Sequence, residues 1–175
     1  MEKGQYPYQK GEYVIYRSTG LCRIVDIREE RFGDAPARTY YVIHPADQPA
    51  SQFFVPTDLP TLEQNMRPLL SSAQIHQMIR TAYREMPAWI EDAKQRAAAF
   101  EAVLRRGDRT QLLRMIRLLR WRQSDLEAQH KKLYASDTRV LQNAQRILTQ
   151  ELAFVLHIGA DEVIPYVLEH RPQTV

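Results

Sequence analysis

The sequence predicts an α+β protein, in which a small antiparallel β-barrel is followed by an all-α bundle of about four to five helices. Short runs rich in β-branched and aromatic residues recur over residues 12–56, with turn residues between them. From Ser72 onward, apolar residues instead recur at helical spacing. This change from a strand-like to a helical pattern of apolar residues indicates two domains. A cluster of prolines places the boundary near Arg67, which gives domains 1–67 and 68–175.

Four strands account for the first domain. They are predicted over residues 12–16, 21–28, 39–44 and 51–56. Gly20 tolerates the positive φ of the turn between the first two strands, and Pro56 ends the fourth because proline cannot donate to a ladder. Cys22 lies in an apolar strand and is predicted to be a small core residue. Four strands joined by short loops favour a compact antiparallel barrel.

Five helices account for the second domain. They are predicted over about residues 73–86, 88–106, 110–133, 137–158 and 161–170. Ser71 or Ser72 can cap the first helix, and Ser136 the fourth, because a serine oxygen accepts hydrogen bonds from the first free backbone N–H groups. Gly107 follows two arginines, which is the usual order at a helix C-terminus, and Asp108 then opens the third helix.

Positive charge is concentrated in the second domain. Residues 1–70 carry eight Lys and Arg against nine Asp and Glu, whereas residues 71–175 carry sixteen against twelve. Between Arg105 and Arg122 there are seven arginines and one acidic residue, Asp108. A stripe of this density attracts a polyanion by counterion release, but a solvated helix face has the same composition. The sequence leaves both interpretations open.

The sequence carries no motif of a catalytic or metal site. Its five histidines lack the spacing of metal ligands, and no phosphate-binding glycine loop, nucleophile elbow or Cys/His pair is present. We therefore predict no enzyme activity, cofactor, metal or small-molecule substrate. The N-terminus lacks the apolar core of a signal peptide, and no apolar run is long enough to span a membrane. We predict a cytoplasmic protein without a membrane partner.

Trp121 is an unusual residue on the third predicted helix. It shares a helix face with Arg114 and Arg117, opposite the apolar stripe that contains Leu112 and Ile116. Such a face either contacts nucleic acid or protein, or is covered by a neighbouring helix with arginine stems stacked on the indole. We favour the covered arrangement, because a compact bundle often buries two faces of its central helix.

Several short blocks of sequence, in both halves of the chain, carry a family resemblance. In the first half they are GEYVIY from Gly11, Gly20, CRIVDI from Cys22, YYVI from Tyr40 and FVP from Phe54. In the second half they are RGD from Arg106, LLRWR from Leu118 and NAQRILTQELA from Asn143. In this order and spacing, over about residues 10–155, they resemble the CarD family of bacterial transcription regulators.

The resemblance implies a fold and a mechanism. The first domain would be Tudor-like and bind the β subunit of RNA polymerase. The helical second domain would contact promoter DNA, largely independently of sequence, where a tryptophan wedges into the minor groove and modulates the stability of the open complex. The polymerase-binding candidates are Arg28, Arg31 and Phe54. The DNA-binding candidates are Trp89, Lys94, Arg96, Arg105, Arg106 and Arg109.

Two positions depart from the family pattern. Counting back from Gly107, the position of the wedge tryptophan falls on Ala93, and Trp89 lies one helical turn further upstream. Phe54 stands where the family has an arginine before Val-Pro. These departures keep a second hypothesis open, in which the protein is an interaction module of the same fold that has lost DNA binding.

Overall fold

The computed structural model describes residues 6–172, and within them the chain divides between Leu69 and Leu70 into two compact units. The first unit is built on an antiparallel five-stranded sheet, and the second on helices. The α+β fold class predicted from the sequence is therefore confirmed.

The sheet contains one strand more than the sequence indicates. Its strands are β1 (Tyr13–Tyr16), β2 (Gly20–Glu30), β3 (Arg38–Pro45), β4 (Phe53–Pro56) and β5 (Met66–Pro68), in the order β4-β3-β2-β1-β5. A four-residue helix, α1 (Leu62–Asn65), leads into β5. The three residues of β5, one of them proline, have no sequence pattern typical of a strand. They form a strand because they pair with β1.

One face of the sheet forms the core of the first unit. The buried residues there are Val14, Cys22, Ile24, Tyr41, Ile43, Val55, Leu62 and Met66. Cys22 is fully buried among them, as predicted. The register between β2 and β3 shifts between Ile24 and Asp26, so β2 carries a bulge there. Beyond this point β2 continues to pair with β3 but not with β1.

Over its described residues, 70–172, the second unit contains five α-helices and a short 3₁₀ turn. The helices are α2 (Ser72–Tyr83), α3 (Ala93–Arg106), α4 (Arg109–Ala128), α5 (Ala135–Leu156) and α6 (Val163–Glu169), and the 3₁₀ turn is Ala160–Glu162. They enclose a single core of aliphatic and aromatic side chains, to which α4 contributes Leu112, Leu113, Met115, Ile116, Leu118 and Leu119.

The starts of α2 and α4 follow the capping chemistry of the sequence, and the start of α5 does not. Ser71 and Gln74 form a capping box at α2, and the Asp108 carboxylate accepts from the N–H group of Gln111 at α4. The prediction that Ser136 caps the fourth helix is wrong, because α5 begins at Ala135 and no side chain caps it.

The second predicted helix also starts later than expected. Asp92 accepts a hydrogen bond from Gln95 N–H and begins α3 there. Residues 85–91 are therefore not helical, and Trp89, predicted to lie on a helix, lies on this connecting segment.

Candidate functional site

An aromatic patch lies on the face of the first unit that points away from its core. We define the aromatic patch as Phe32, Tyr40 and Phe54. Their ring centroids are 5.3 Å (Phe32–Tyr40), 5.1 Å (Phe32–Phe54) and 6.2 Å (Tyr40–Phe54) apart, all in edge-to-face geometry. Phe32 is 49% exposed, and the guanidinium of Arg28 lies 5.7 Å from the centroid of the Phe54 ring. Three rings and a cation thus meet at one exposed surface.

Strand alternation produces this patch. Tyr41 and Val55 are paired across β3 and β4 and point into the core, so Tyr40 and Phe54, one position away, point to the opposite face. Arg28 pairs with Tyr40 across β2 and β3 and shares that face. Phe32 comes from the turn after β2 and lies over both rings.

Two of the predicted polymerase-binding residues come together in this way, and the third, Arg31, follows Arg28 closely in the sequence. Arg28 and Phe54 contact each other directly. Arg31 is exposed, and its Nε donates to the carbonyl of Ala35 at 3.1 Å, which holds the turn that presents Phe32. The sequence reasoning missed Phe32 and Tyr40, although a phenylalanine inside a turn cluster is a signal that was available.

Charge around the patch is nearly balanced. Arg28 donates to Glu30 at 2.7 Å and to Asp26 at 3.4 Å. The hydrogen bond that Arg28 donates to Glu30 raises the pKa of Arg28 and outweighs the opposing effect of burial. Burial acts to raise the pKa of Asp26, but hydrogen bonds from Ile27, Lys10 and Arg28 hold that pKa below its ordinary value. Because these carboxylates hold the guanidinium over Phe54, the surface combines apolar area with a fixed cation.

In the second unit, Trp89 is held against two arginines. Its indole is partly buried against the helical core, with the Phe100 ring edge-on at 6.5 Å. The guanidinium of Arg96 lies 4.5 Å from the indole centroid, and that of Arg122 lies 5.1 Å from it. Both distances fall in the range of cation–π attraction. The predicted wedge residue is therefore packed and oriented by the fold.

Arg96 is an interior residue. It is 2% exposed and donates from Nη2 and Nε to Asp137 at 3.0 and 3.2 Å. Its Nη1 also donates to the carbonyls of Ile90 and Glu91 at 2.8 and 3.0 Å. A guanidinium with this many internal partners cannot reach a phosphate, so we correct the prediction and remove Arg96 from the DNA-binding candidates. Its role is to tie the segment around Trp89 to α5.

Arg109 is also engaged inside the fold. Its Nε and Nη2 donate to the two oxygens of Glu151, both at 3.0 Å, and Glu151 is 1% exposed. The same carboxylate accepts from the backbone N–H of Leu70 at 2.9 Å. This bidentate pair joins the start of α4 to α5, and we correct the prediction for Arg109 in the same way.

The remaining DNA-binding candidates are exposed on α3. We call Lys94, Arg105 and Arg106 the α3 cation group. Lys94 lies in the first turn of the helix and the two arginines in its last turn, and no described residue bonds to their side chains. Lys94 and Arg105 are eleven positions apart, so they lie on the same side of α3 and about 16 Å apart along it. Glu101 is exposed between them.

The prediction that a neighbouring helix covers Trp121 is wrong. Trp121 is 51% exposed. Arg114 and Arg117, which share its face, instead donate to the carbonyls of Thr81 and Ala82 at 3.2 and 2.7 Å. These carbonyls end α2, where cations are favoured. The two arginines thus cap α2 and leave the indole uncovered.

Two family models match the chain over most of its length. The CarD-like/TRCF RID domain matches residues 8–70, and the CarD C-terminal domain matches residues 74–167. The chain belongs to the CarD family. No curated protein matches it significantly. The Tudor-like character expected of the first domain is confirmed. The CarD family consists of transcription factors that interact with RNA polymerase, and it is not known to include enzymes.

Over residues 6–172, no helix of this CarD-family protein is both long enough and apolar enough to cross a membrane. Within the same range, no cluster of three or more His, Cys, Asp and Glu side chains could hold a metal ion.

The buried pair of Arg96 and Asp137 gives a stability prediction. We expect Asp137→Asn to lower the free energy of unfolding by about 3–5 kcal/mol, because it leaves the guanidinium of Arg96 buried without a counter-charge. Urea denaturation followed by circular dichroism measures this change. The matched control is Asp125→Asn, which removes the partly exposed partner of Arg122 and costs about 1 kcal/mol or less. Equal losses for the two variants would contradict the role assigned to the buried pair.

Proposed function

We propose that this CarD-family protein regulates transcription by binding the β subunit of RNA polymerase through the aromatic patch and promoter DNA through the α3 cation group. The link between the two contacts would change the stability of the open promoter complex. The observation that carries the proposal is the cluster of Phe32, Tyr40 and Phe54 with Arg28, in which Phe32 and Arg28 are exposed, on a domain whose family interacts with RNA polymerase.

The composition of the aromatic patch suits a protein interface. Aromatic residues and arginine are the types that most often dominate binding energy at interfaces. Phe32 is half exposed in this structure, and a partner that covered it would remove apolar area from water. Phe54, which stands where the family has an arginine, contributes a ring to the patch in place of a charge, and Arg28 supplies the cation beside it.

The α3 cation group suits contact with a phosphate backbone. Its three side chains are exposed, and no described residue forms an ion pair with them. Such contacts provide affinity and register without reading base sequence. Glu101 lies between them and limits the strength of the attraction. The contact would therefore be weak, sensitive to salt and largely independent of sequence.

Regulation of the open complex needs only a difference in affinity. A protein that is bound to polymerase and contacts the melted duplex better than the closed duplex shifts the population toward the open state. A difference of about 1.4 kcal/mol between the two states changes their ratio tenfold. No covalent step is required.

A second candidate function is a protein-interaction module that has lost DNA binding. The internal pairing of Arg96 and Arg109 favours it, because these two of the six DNA-binding candidates are unavailable. The position of Trp89 between two guanidinium groups points the same way. Both candidate functions use the aromatic patch and differ only in whether the second unit contacts DNA.

We expect Phe32→Ala to weaken binding to purified RNA polymerase by about tenfold or more, because truncation of an aromatic anchor typically costs about 2 kcal/mol. Biolayer interferometry with immobilised polymerase measures the loss, and an isolated β subunit as the ligand tests the assignment to that subunit. The matched control is Phe53→Ala. Phe53 is 37% exposed but contacts Tyr16 and is outside the patch. The proposal fails for this surface if the two variants lose affinity equally.

We expect the double variant Arg105→Glu/Arg106→Glu to reduce binding of the full-length protein to duplex DNA at low salt. It should also make the slope of log K against log salt shallower by about 1.8, since each lost phosphate contact removes about 0.9. Fluorescence anisotropy with a labelled duplex at several salt concentrations measures both quantities.

The control for this experiment is Lys131→Glu/Lys132→Glu, which makes the same change in net charge at two exposed lysines after α4. An equal effect of both double variants would indicate attraction by net charge alone. Absence of DNA binding by the wild-type protein at low salt would leave the interaction module as the function.

A further inference from the structure

An apolar groove lies in the second unit, between the end of α2, α4 and α6. It has a cavity volume of about 290 Å³. Leu113, Ile116 and Val167 form its floor, and each is 3% exposed. Met86 and Leu168 line its edges and are 42% and 46% exposed. The groove therefore presents a continuous apolar surface that solvent reaches from one side.

Three arginines line the same groove. Arg117 is fixed there, since its Nη1 donates to the carbonyl of Ala82 at 2.7 Å and its guanidinium lies 3.9 Å from the centroid of the Tyr83 ring. Arg120 and Arg171 are exposed, and no described residue bonds to their side chains.

Negative charge is missing from this groove. None of the described residues that line it is acidic. The nearby carboxylate of Glu85 is paired with Arg114 at 3.3 Å and does not line the groove. An apolar floor with an uncompensated cationic rim is complementary to a molecule that has an apolar body and a negatively charged end.

We propose that this groove binds an aliphatic carboxylate of medium chain length. The alkyl chain lies along the floor formed by Leu113, Ile116 and Val167, and the carboxylate lies between Arg120 and Arg171. A volume of about 290 Å³ lies at the small end of the range for ligand pockets, which suits a single alkyl chain of medium length. The planar guanidinium fork matches a carboxylate in geometry as well as charge. The groove shares no residue with the aromatic patch or with the α3 cation group.

Isothermal titration calorimetry of the full-length protein with decanoate tests the proposal. Decanol is the control for chain without charge, and decyltrimethylammonium is the control for the opposite charge, all below the concentrations at which micelles form. We expect decanoate to bind saturably with one molecule per chain, decanol to bind about 3- to 10-fold more weakly, and the cation not to bind. Equal binding of all three would show adsorption to apolar surface only and would overturn the proposal, as would no binding of decanoate at millimolar concentration.

Substitutions locate the site. Arg120→Gln and Arg171→Gln should each weaken decanoate binding by about 3- to 10-fold, and Leu168→Glu should abolish it by placing a carboxylate at the edge. Arg139→Gln, an exposed arginine of α5 that does not line the groove, is the matched control and should have no effect. All four positions are exposed, so the variants should remain folded, which circular dichroism verifies. Decanoate binding that survives Leu168→Glu and both glutamine variants would place the ligand elsewhere and refute the assignment. The assay contains neither polymerase nor DNA, so its outcome does not depend on the proposed function.

Discussion

The need to neutralise a buried guanidinium organises the second unit. Arg96 lies in the interior at 2% exposure, and Asp137, equally enclosed, is its counter-charge. Because an unpaired charge in this environment would cost several kcal/mol, α3 and α5 are held in one relation to each other. The carbonyls of Ile90 and Glu91 complete the hydrogen bonding of Arg96 and thereby fix the segment that carries Trp89. The orientation of that indole is thus a consequence of one ion pair.

The pairing of arginines within the fold also decides which of them remain available to a binding partner. Arg109 is paired with Glu151, and Arg114 and Arg117 cap the carbonyl end of α2. Arg122 is paired with Asp125, so four of the seven arginines between residues 105 and 122 have partners within the fold. Arg105 and Arg106 stay exposed on one helix end, and Arg120 stays exposed at the groove. A count of charges along the sequence overstates the cationic surface that a polyanion could contact, because the count does not include these internal partners.

Local features of the chain were predictable, and long-range ones were not. Runs of β-branched and aromatic residues identified β1 to β4, and hydroxyl and carboxylate caps identified the starts of α2 and α4, since these signals lie within a few residues of the element. The strand β5 was missed because only its pairing with β1 makes it a strand. The pairing of Arg96 with Asp137 spans 41 positions and left no local pattern. Phe54 and Arg28 were chosen from the family pattern, whereas Phe32 joins them only through the turn that returns it to the sheet.

Any use of Trp89 as a wedge would have to exchange one set of aromatic contacts for another. Leaving the two guanidinium groups would forfeit about 2 kcal/mol for the buried Arg96 and about 0.5–1 kcal/mol for the more exposed Arg122. Stacking on an unpaired base returns about 1–3 kcal/mol. The gain does not exceed the loss, so the indole itself would contribute little net affinity for melted DNA. Phosphate contacts from Arg105 and Arg106 would then decide whether the exchange occurs, which makes the exposed end of α3 more informative about DNA binding than the tryptophan.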